Sequence, residues 1–93
     1  MINTVELSKQ AEKDLRKVPE LIASKLKYWI AMVETEGLES ARSIKGFHDE
    51  QLKGKRKGQR SIRLNRSYRA IYVIQRSGAI ELVQIEEVNK HDY

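Results

Sequence analysis

The pattern of apolar and polar positions predicts a short strand and then a helix at the start of the chain. Residues 4–7 alternate polar and apolar side chains, as a half-buried strand does. Ser8 is placed to cap a helix, because its hydroxyl can accept a hydrogen bond from a free amide of the first turn. Ala11, Leu15 and Val18 then recur at i, i+4 and i+7, which gives this helix one apolar stripe.

A second, longer helix is predicted after Pro19. Proline suits the first helical position, where its missing amide costs nothing, and Gly37 suits the C-terminal cap. Between them Leu26, Trp29 and Val33 belong to a broad apolar stripe, so we expect Trp29 in the core. Residues 38–43 favour one further helical turn.

The remaining sequence predicts a long loop and three strands. Residues 45–58 contain three glycines and few apolar side chains, and loops of this length commonly carry function. The period then changes to two. We expect strands at 61–64, 68–74 and 80–88, joined by turns at 65–67 and 76–79.

These elements predict one α+β domain over residues 1–93. Their order is an N-terminal strand, a helical hairpin and an antiparallel three-strand meander, β-α-α-β-β-β. We expect the helical hairpin to cover one face of the sheet and to leave the other face open.

Positive charge is concentrated in the middle of the chain. Residues 42–69 carry ten Lys or Arg against two acids, a formal charge of about +8, whereas the whole chain carries +5. Such a field favours polyanionic partners and makes their binding salt-sensitive. The alternative is a solvated basic loop without a partner.

Composition excludes several classes of site. Cysteine is absent, which excludes disulfides and thiolate chemistry and fits a reducing cytoplasm. The two histidines, His48 and His91, have no further ligand at zinc spacing, so no metal or other cofactor is expected. No stretch approaches the roughly 18 apolar residues that span a bilayer, and the first residues lack the pattern of a secretory signal. We therefore expect a cytoplasmic protein without a membrane partner.

Two arginines are expected side by side on the open face of the sheet. Arg63 alternates with Ile62 and Leu64, and Arg69 opens the next strand across a short hairpin. Two adjacent guanidinium groups repel unless an anion lies between them, and their planar forks fit phosphate oxygens. The alternative is that one of them pairs with an acid of the last strand.

Glu50 and the end of the chain are the other candidates for chemistry. A carboxylate in the field of Lys53, Lys55 and Arg56 should have a lowered pKa and stay ionised, which suits a base but also a simple counter-ion. His91 can exchange a proton near neutral pH, and Tyr93 can stack on a base or bind a phosphate. The alternative for both is a polar tail without a function.

Four segments resemble the RelE/ParE superfamily of bacterial toxins from type II toxin–antitoxin systems. They are EQLKG at 50–54, GQRSIRL at 58–64, YRAIY at 68–72 and HDY at 91–93. The order of elements matches as well, so the resemblance spans nearly the whole chain, and it is closest to the YoeB-like and HigB-like branches. It implies a metal-independent endoribonuclease that cuts mRNA in the ribosomal A site, inhibits translation and is neutralised by a cognate antitoxin.

The resemblance also implies roles for single residues. Glu50 matches the general base for the ribose 2′-hydroxyl, and Arg69 matches the arginine that stabilises charge on the phosphate. His91 matches the general acid for the leaving 5′-oxygen, and Tyr93 the tyrosine that orients mRNA. Asp92 intervenes where the family usually has His directly before Tyr. The expected RNA contacts are Lys53 and Arg63, with the neighbouring Lys55, Lys57 and Arg60.

Functions of different classes stay open on these residues. One is the mRNA interferase, and another is a ParE-like toxin that binds and poisons DNA gyrase, since a fold does not fix a function. A third is a nucleic-acid-binding module without activity. Loss of Glu50 and His91 should abolish the first function and spare the second.

Overall fold

A five-stranded sheet with helices on one face is the frame of the protein. The computed structural model describes residues 1–90 of the chain. The strands are β1 (Val5–Leu7), β2 (Glu50–Gln51), β3 (Arg60–Arg63), β4 (Tyr68–Ser77) and β5 (Ile80–Lys90). The helices within these residues are α1 (Lys9–Lys17), α2 (Glu20–Glu36) and α3 (Leu38–Arg42).

The strand order across the sheet is β1-β5-β4-β3-β2. Strand β1 pairs parallel to β5, and the other neighbours are antiparallel. The predicted α+β fold and its three-strand meander, β3 to β5, are therefore confirmed. Within residues 1–90 no helix has both the length and the apolarity that crossing a membrane requires.

The helix boundaries follow from local sequence signals. The hydroxyl of Ser8 accepts a hydrogen bond from the amide of Ala11 at 3.0 Å and caps α1. Helix α2 begins at Glu20, one residue later than predicted, because Pro19 occupies the N-cap with an extended ψ of 147°. It ends at Gly37, whose φ of +91° lies where a side chain would be strained.

The core lies between the helices and one face of the sheet. Trp29 of α2 is fully buried, as predicted, and its ring packs against Tyr72 of β4 with 5.1 Å between centroids. Alternate residues of β4, among them Ala70 and Tyr72, point toward the helices because successive side chains of a strand face opposite ways. The intervening residues, Arg69 and Ile71, therefore point to the face without helices.

Helix α1 fixes the second half of β5. The pairing of β4 with β5 shifts register at Ile71 and Tyr72, so β5 carries a bulge near Glu86. The Ser8 hydroxyl donates to the carbonyl of Glu86 at 2.6 Å, and the Asp14 carboxylate accepts from the amide of Val88 at 2.9 Å. The strand is thereby held up to its last described residues.

The boundaries of every predicted strand differ from the structure: β1 begins at Val5, one residue later than predicted, and β5 continues to Lys90, two residues past its predicted end. Strand β3 begins and ends one residue earlier than predicted. Strand β4 continues to Ser77 and leaves a two-residue turn with Gly78 at φ +63°, so the predicted turn at 76–79 was too long. The predicted loop at 45–58 contains the short strand β2 and two single turns of 3-10 helix, Lys45–Phe47 and Gly54–Arg56.

Candidate active site

The candidate site lies on the sheet face without helices, toward its β2 edge. Paired residues of neighbouring antiparallel strands share a face, and the register places Glu50 opposite Ser61, and Ser61 opposite Ile71. The next row of this face pairs Arg63 with Arg69. One carboxylate and two guanidinium groups therefore belong to one surface, where the sequence predicted the two arginines.

Glu50 and Arg69 form an ion pair at the centre of this surface. The Arg69 Nη1 atom donates to Glu50 Oε1 at 3.0 Å and to the Ser61 hydroxyl at 3.1 Å. The Arg69 side chain is only 15% exposed, whereas that of Glu50 is 44% exposed. The carboxylate is therefore accessible to a ligand from solvent, while the arginine beneath it is fixed by the sheet.

Glu50 has a pKa below its ordinary value. The hydrogen bond from Arg69 is the largest cause, partial burial opposes it, and the charges of Arg69, His48 and Arg63 lower the pKa further. The direction agrees with the sequence prediction, but the cause differs. We expected the basic residues of the following loop, Lys53, Lys55 and Arg56, to lower this pKa. The groups that lower it are the neighbours on the sheet and in the preceding turn.

Arg63 and Arg69 are direct neighbours across the β3–β4 hairpin, as predicted. Asn65 closes the connection between the two strands: its side-chain oxygen accepts from the amides of Ser67 at 2.7 Å and Tyr68 at 2.8 Å. The buried Nε atom of Arg63 has no hydrogen-bond partner within residues 1–90. Two adjacent cations on one face form a site that favours an anion.

His48 is a further part of this surface, and the sequence did not predict its contact with Glu50. Its Nε2 atom lies 3.7 Å from Glu50 Oε2, and its side chain is 56% exposed. The backbone of His48 is left-handed, with φ 47°, and it turns the chain from the preceding 3-10 helix into β2. Its position two residues before Glu50 was visible in the sequence, but the left-handed turn that brings the two side chains together was not.

The basic segment after β2 lies beside this surface. Lys53, Lys55 and Lys57 are exposed, and residues 51–54 with Lys57 line a shallow hollow of about 310 Å³. Arg56 reaches back to the sheet, where its Nη2 atom lies 3.2 Å from Glu87 of β5. The segment is thus tied to the open face and carries exposed ammonium groups along the β2 edge.

Arg60 lies on the opposite, helix-covered face. It pairs across the sheet with Tyr72, and its Nε atom donates to Asp49 Oδ1 at 2.7 Å. The Asp49 side chain is 1% exposed and that of Arg60 is 19% exposed. Arg60 was predicted as an RNA contact, and the structure places its guanidinium group in an internal ion pair, away from the face that carries Arg63 and Arg69.

Two predicted site residues, His91 and Tyr93, lie outside the described residues. The last described residues of β5 lie beside the candidate site, since Asn89 pairs with Arg69 across the sheet. The side-chain amide of Asn89 donates to the Glu87 carboxylate at 2.6 Å. In this described part of the chain no group of three or more His, Asp or Glu side chains is arranged to hold a metal ion.

Comparison with known proteins identifies the fold. No protein-family model and no curated protein matches the chain. Solved structures of toxins do match it over almost its whole length. YafQ from Escherichia coli has a TM-score of 0.72 at 20% identity and covers 96% of this chain and 93% of its own.

Two further structures extend the likeness. A YoeB/ParE toxin from Agrobacterium tumefaciens has a TM-score of 0.68 at 17% identity and covers 96% of this chain and 99% of its own. The toxin–antitoxin complex RelBE2 from Mycobacterium tuberculosis has a TM-score of 0.65 at 23% identity and covers 98% of this chain and 100% of the matched chain. These neighbours are toxins of the RelE/ParE superfamily, and the chain shares their fold.

Proposed function

We propose that this chain is the toxin of a toxin–antitoxin pair and that it cleaves mRNA on the translating ribosome. The observation that supports this most is the Glu50 carboxylate, held 3.0 Å from Arg69 on an open face with Arg63 beside it. Cleavage by a ribose 2′-hydroxyl needs one group that takes its proton and positive charge at the phosphate. Both are present here within one ion pair.

Glu50 is the proposed general base and Arg69 the proposed phosphate ligand. The lowered pKa keeps Glu50 ionised at neutral pH, so it is ready to accept a proton. When phosphate oxygens bind the guanidinium group, its bond to Glu50 weakens and the pKa of Glu50 rises toward the range that suits a base. Binding of the substrate phosphate thus makes Glu50 a stronger base when the 2′-hydroxyl is in place.

The remaining steps rest on the sequence resemblance. The leaving 5′-oxygen needs a proton, and His91 is the proposed acid, with Tyr93 orienting the messenger. Arg63 provides a second cation beside Arg69, and the exposed lysines Lys53, Lys55 and Lys57 extend positive charge along the β2 edge for further phosphates.

A cognate antitoxin is the proposed protein partner. One of the fold neighbours was solved as a toxin–antitoxin complex. A chain that neutralises this toxin should place acidic residues near Arg63 and the exposed lysines, on a strand or helix laid over the open face.

The test is to map mRNA 5′ ends after adding the protein to a translating extract and, separately, to the same RNA without ribosomes. New ends are expected within codons, and only with ribosomes. Glu50→Gln and Arg69→Ala should each reduce cleavage at least 100-fold, the usual loss when a general base or a charge-stabilising donor is removed. His91→Ala should abolish it.

Arg76→Ala is the matched control for Arg69→Ala. It removes the same charge from the same strand, at an exposed position where Arg76 pairs only loosely with Glu81 at 3.5 Å. It should cleave as the unaltered protein does. Intact mRNA under conditions where growth stops would refute the nuclease. Toxicity that survives loss of Glu50 and His91, together with DNA damage, would instead indicate a gyrase poison.

A further inference from the structure

The strand that carries Glu50 is weakly held by its own backbone. Strand β2 has two residues and a single neighbour, β3. After it, the amide of Leu52 bonds to the carbonyl of Gln59 at 2.9 Å, and the segment between them is exposed. Short edge strands of this kind readily open, so another contact is needed to hold Glu50 beside Arg69.

Asp49, the residue before Glu50, provides that contact. Its side chain is 1% exposed, and each carboxylate oxygen has a strong donor. Arg60 Nε donates to Oδ1 at 2.7 Å, and the Tyr72 hydroxyl donates to Oδ2 at 2.6 Å. A buried carboxylate is tolerated only with such partners, so the three groups hold one another in place.

The partners of Asp49 are themselves rigid. Tyr72 is fully buried in β4, and its ring packs on Trp29 of α2. Arg60 begins β3, and the Asp49 bond and charge hold its pKa above the ordinary value, although burial opposes this. Burial and the bond to Asp49 likewise raise the pKa of Tyr72, so its hydroxyl keeps its proton and donates at any physiological pH.

We infer that Asp49, Arg60 and Tyr72 form a positioning clamp that fixes Glu50 beside Arg69. Consecutive Cα atoms are about 3.8 Å apart, so fixing Asp49 on the helix side leaves Glu50 little freedom on the open side. The clamp does not touch the candidate site surface: it lies beneath the sheet and acts on Glu50 through one peptide bond. Its importance for cleavage rests on the proposed function, whereas its effect on Glu50 does not.

Tyr72→Phe tests the clamp with the least change. It removes one hydroxyl, keeps the ring against Trp29 and alters no charge. The direct measurement is the titration of the Glu50 carboxyl carbon by NMR in the isolated protein. The charged groups that face Glu50 are Arg69, His48 and Arg63, and they stay in place. If the clamp loosens, the Arg69 bond weakens and the pKa of Glu50 rises toward the ordinary glutamate value.

Two controls separate positioning from general destabilisation. Tyr68→Phe removes the same hydroxyl from the same strand and the same face, without a bond to Asp49. Val83→Ala weakens the core at β5, three strands away from β2. Both should leave the Glu50 titration unchanged, even where the melting temperature falls as far as in Tyr72→Phe.

The kinetic measurement links the clamp to cleavage. Tyr72→Phe should lower kcat by about 10- to 100-fold with little change in KM, because the RNA contacts remain and only the base is misplaced. In a Glu50→Gln background the same change should have almost no effect. An unaltered Glu50 titration in a folded Tyr72→Phe protein overturns the inference. A shifted titration in a protein without nuclease activity supports the clamp and refutes the proposed function.

Should Tyr72→Phe fail to fold, Arg60→Lys provides the second variant. It keeps the positive charge near Asp49 but cannot reproduce the Nε bond of the guanidinium group. The same rise in the pKa of Glu50 is expected, and an unchanged titration again overturns the inference.

Discussion

Replacing Asp49 with alanine should strongly destabilise the protein, because it removes one side of a buried ion pair. Breaking such a pair from one side costs about 3–5 kcal/mol, and a buried hydroxyl left without its acceptor costs about 1–3 kcal/mol. These two penalties overlap here, since both arise from the same carboxylate. Arg60 is also 19% exposed and regains some water. We therefore expect a loss of about 3 kcal/mol in the free energy of unfolding.

Urea and thermal unfolding measure this loss directly. Trp29 is the only tryptophan of the chain and packs against Tyr72, so its fluorescence reports on the core beside the ion pair. For a domain of this size, about 3 kcal/mol corresponds to a fall in Tm of about 12–24 °C. The control is Glu81→Ala, which breaks the exposed pair with Arg76 and should change stability by less than about 0.5 kcal/mol.

A double-mutant cycle decides whether the ion pair is the cause. In the Asp49→Ala background the further change Arg60→Met should restore part of the lost stability, because the uncompensated cation is then removed. Strictly additive losses of stability in the cycle would refute the reasoning. So would an Asp49→Ala protein whose free energy of unfolding lies within about 1 kcal/mol of the unaltered protein, because removing a buried carboxylate with two good donors should cost more than that.

Two other expectations concern Glu50 and Ser8. The pKa of Glu50 in the folded protein is lowered, so the contribution of Glu50 to stability is present above the ordinary value of 4.5 and is lost as the pH falls through the folded pKa. The stability difference between the unaltered protein and Glu50→Gln should therefore shrink when unfolding is measured at decreasing acidic pH. A difference that stays constant would contradict this expectation. Ser8→Ala should cost about 1–2 kcal/mol in urea unfolding, because the helix cap and the bond to Glu86 both disappear, whereas Ser24→Ala at an exposed position of α2 should cost nothing measurable.

The helices and the meander could be predicted from the sequence because their patterns are long. Leu26, Trp29 and Val33 repeat at helical spacing over several turns, and the first seven residues of β4 are rich in the β-branched and aromatic side chains that favour a central strand. Gly37 and Ser8 add backbone and capping signals whose physical cause is local. The neighbourhood of Arg63 and Arg69 was predictable for the same reason, since a short hairpin fixes the pairing of the residues that flank it.

The edge of the sheet at β2 could not be predicted in this way. A strand of two residues has no period, and its place beside β3 depends on contacts made far along the chain. The burial of Asp49 is the clearest case: its partners Arg60 and Tyr72 follow 11 and 23 residues later. In a segment rich in glycine and lysine, nothing local distinguishes this buried carboxylate from the exposed one that follows it.

The concentration of positive charge in the sequence therefore overstates the field that a ligand meets. Arg60 is neutralised by Asp49 beneath the sheet, Arg69 by Glu50 on its open face, and Arg56 by Glu87. Within residues 1–90, the exposed lysines after β2 form no ion pair with a carboxylate. In the same residues, the Nε atom of Arg63 has no hydrogen-bond partner. The charge that remains for a polyanion therefore comes from these lysines and Arg63, together with the exposed Arg42, Lys45 and Arg66, which also have no ion pair with a carboxylate among residues 1–90. Under the proposed function, a phosphate bound by Arg63 and Arg69 would lie next to Glu50, the carboxylate that pairs with Arg69.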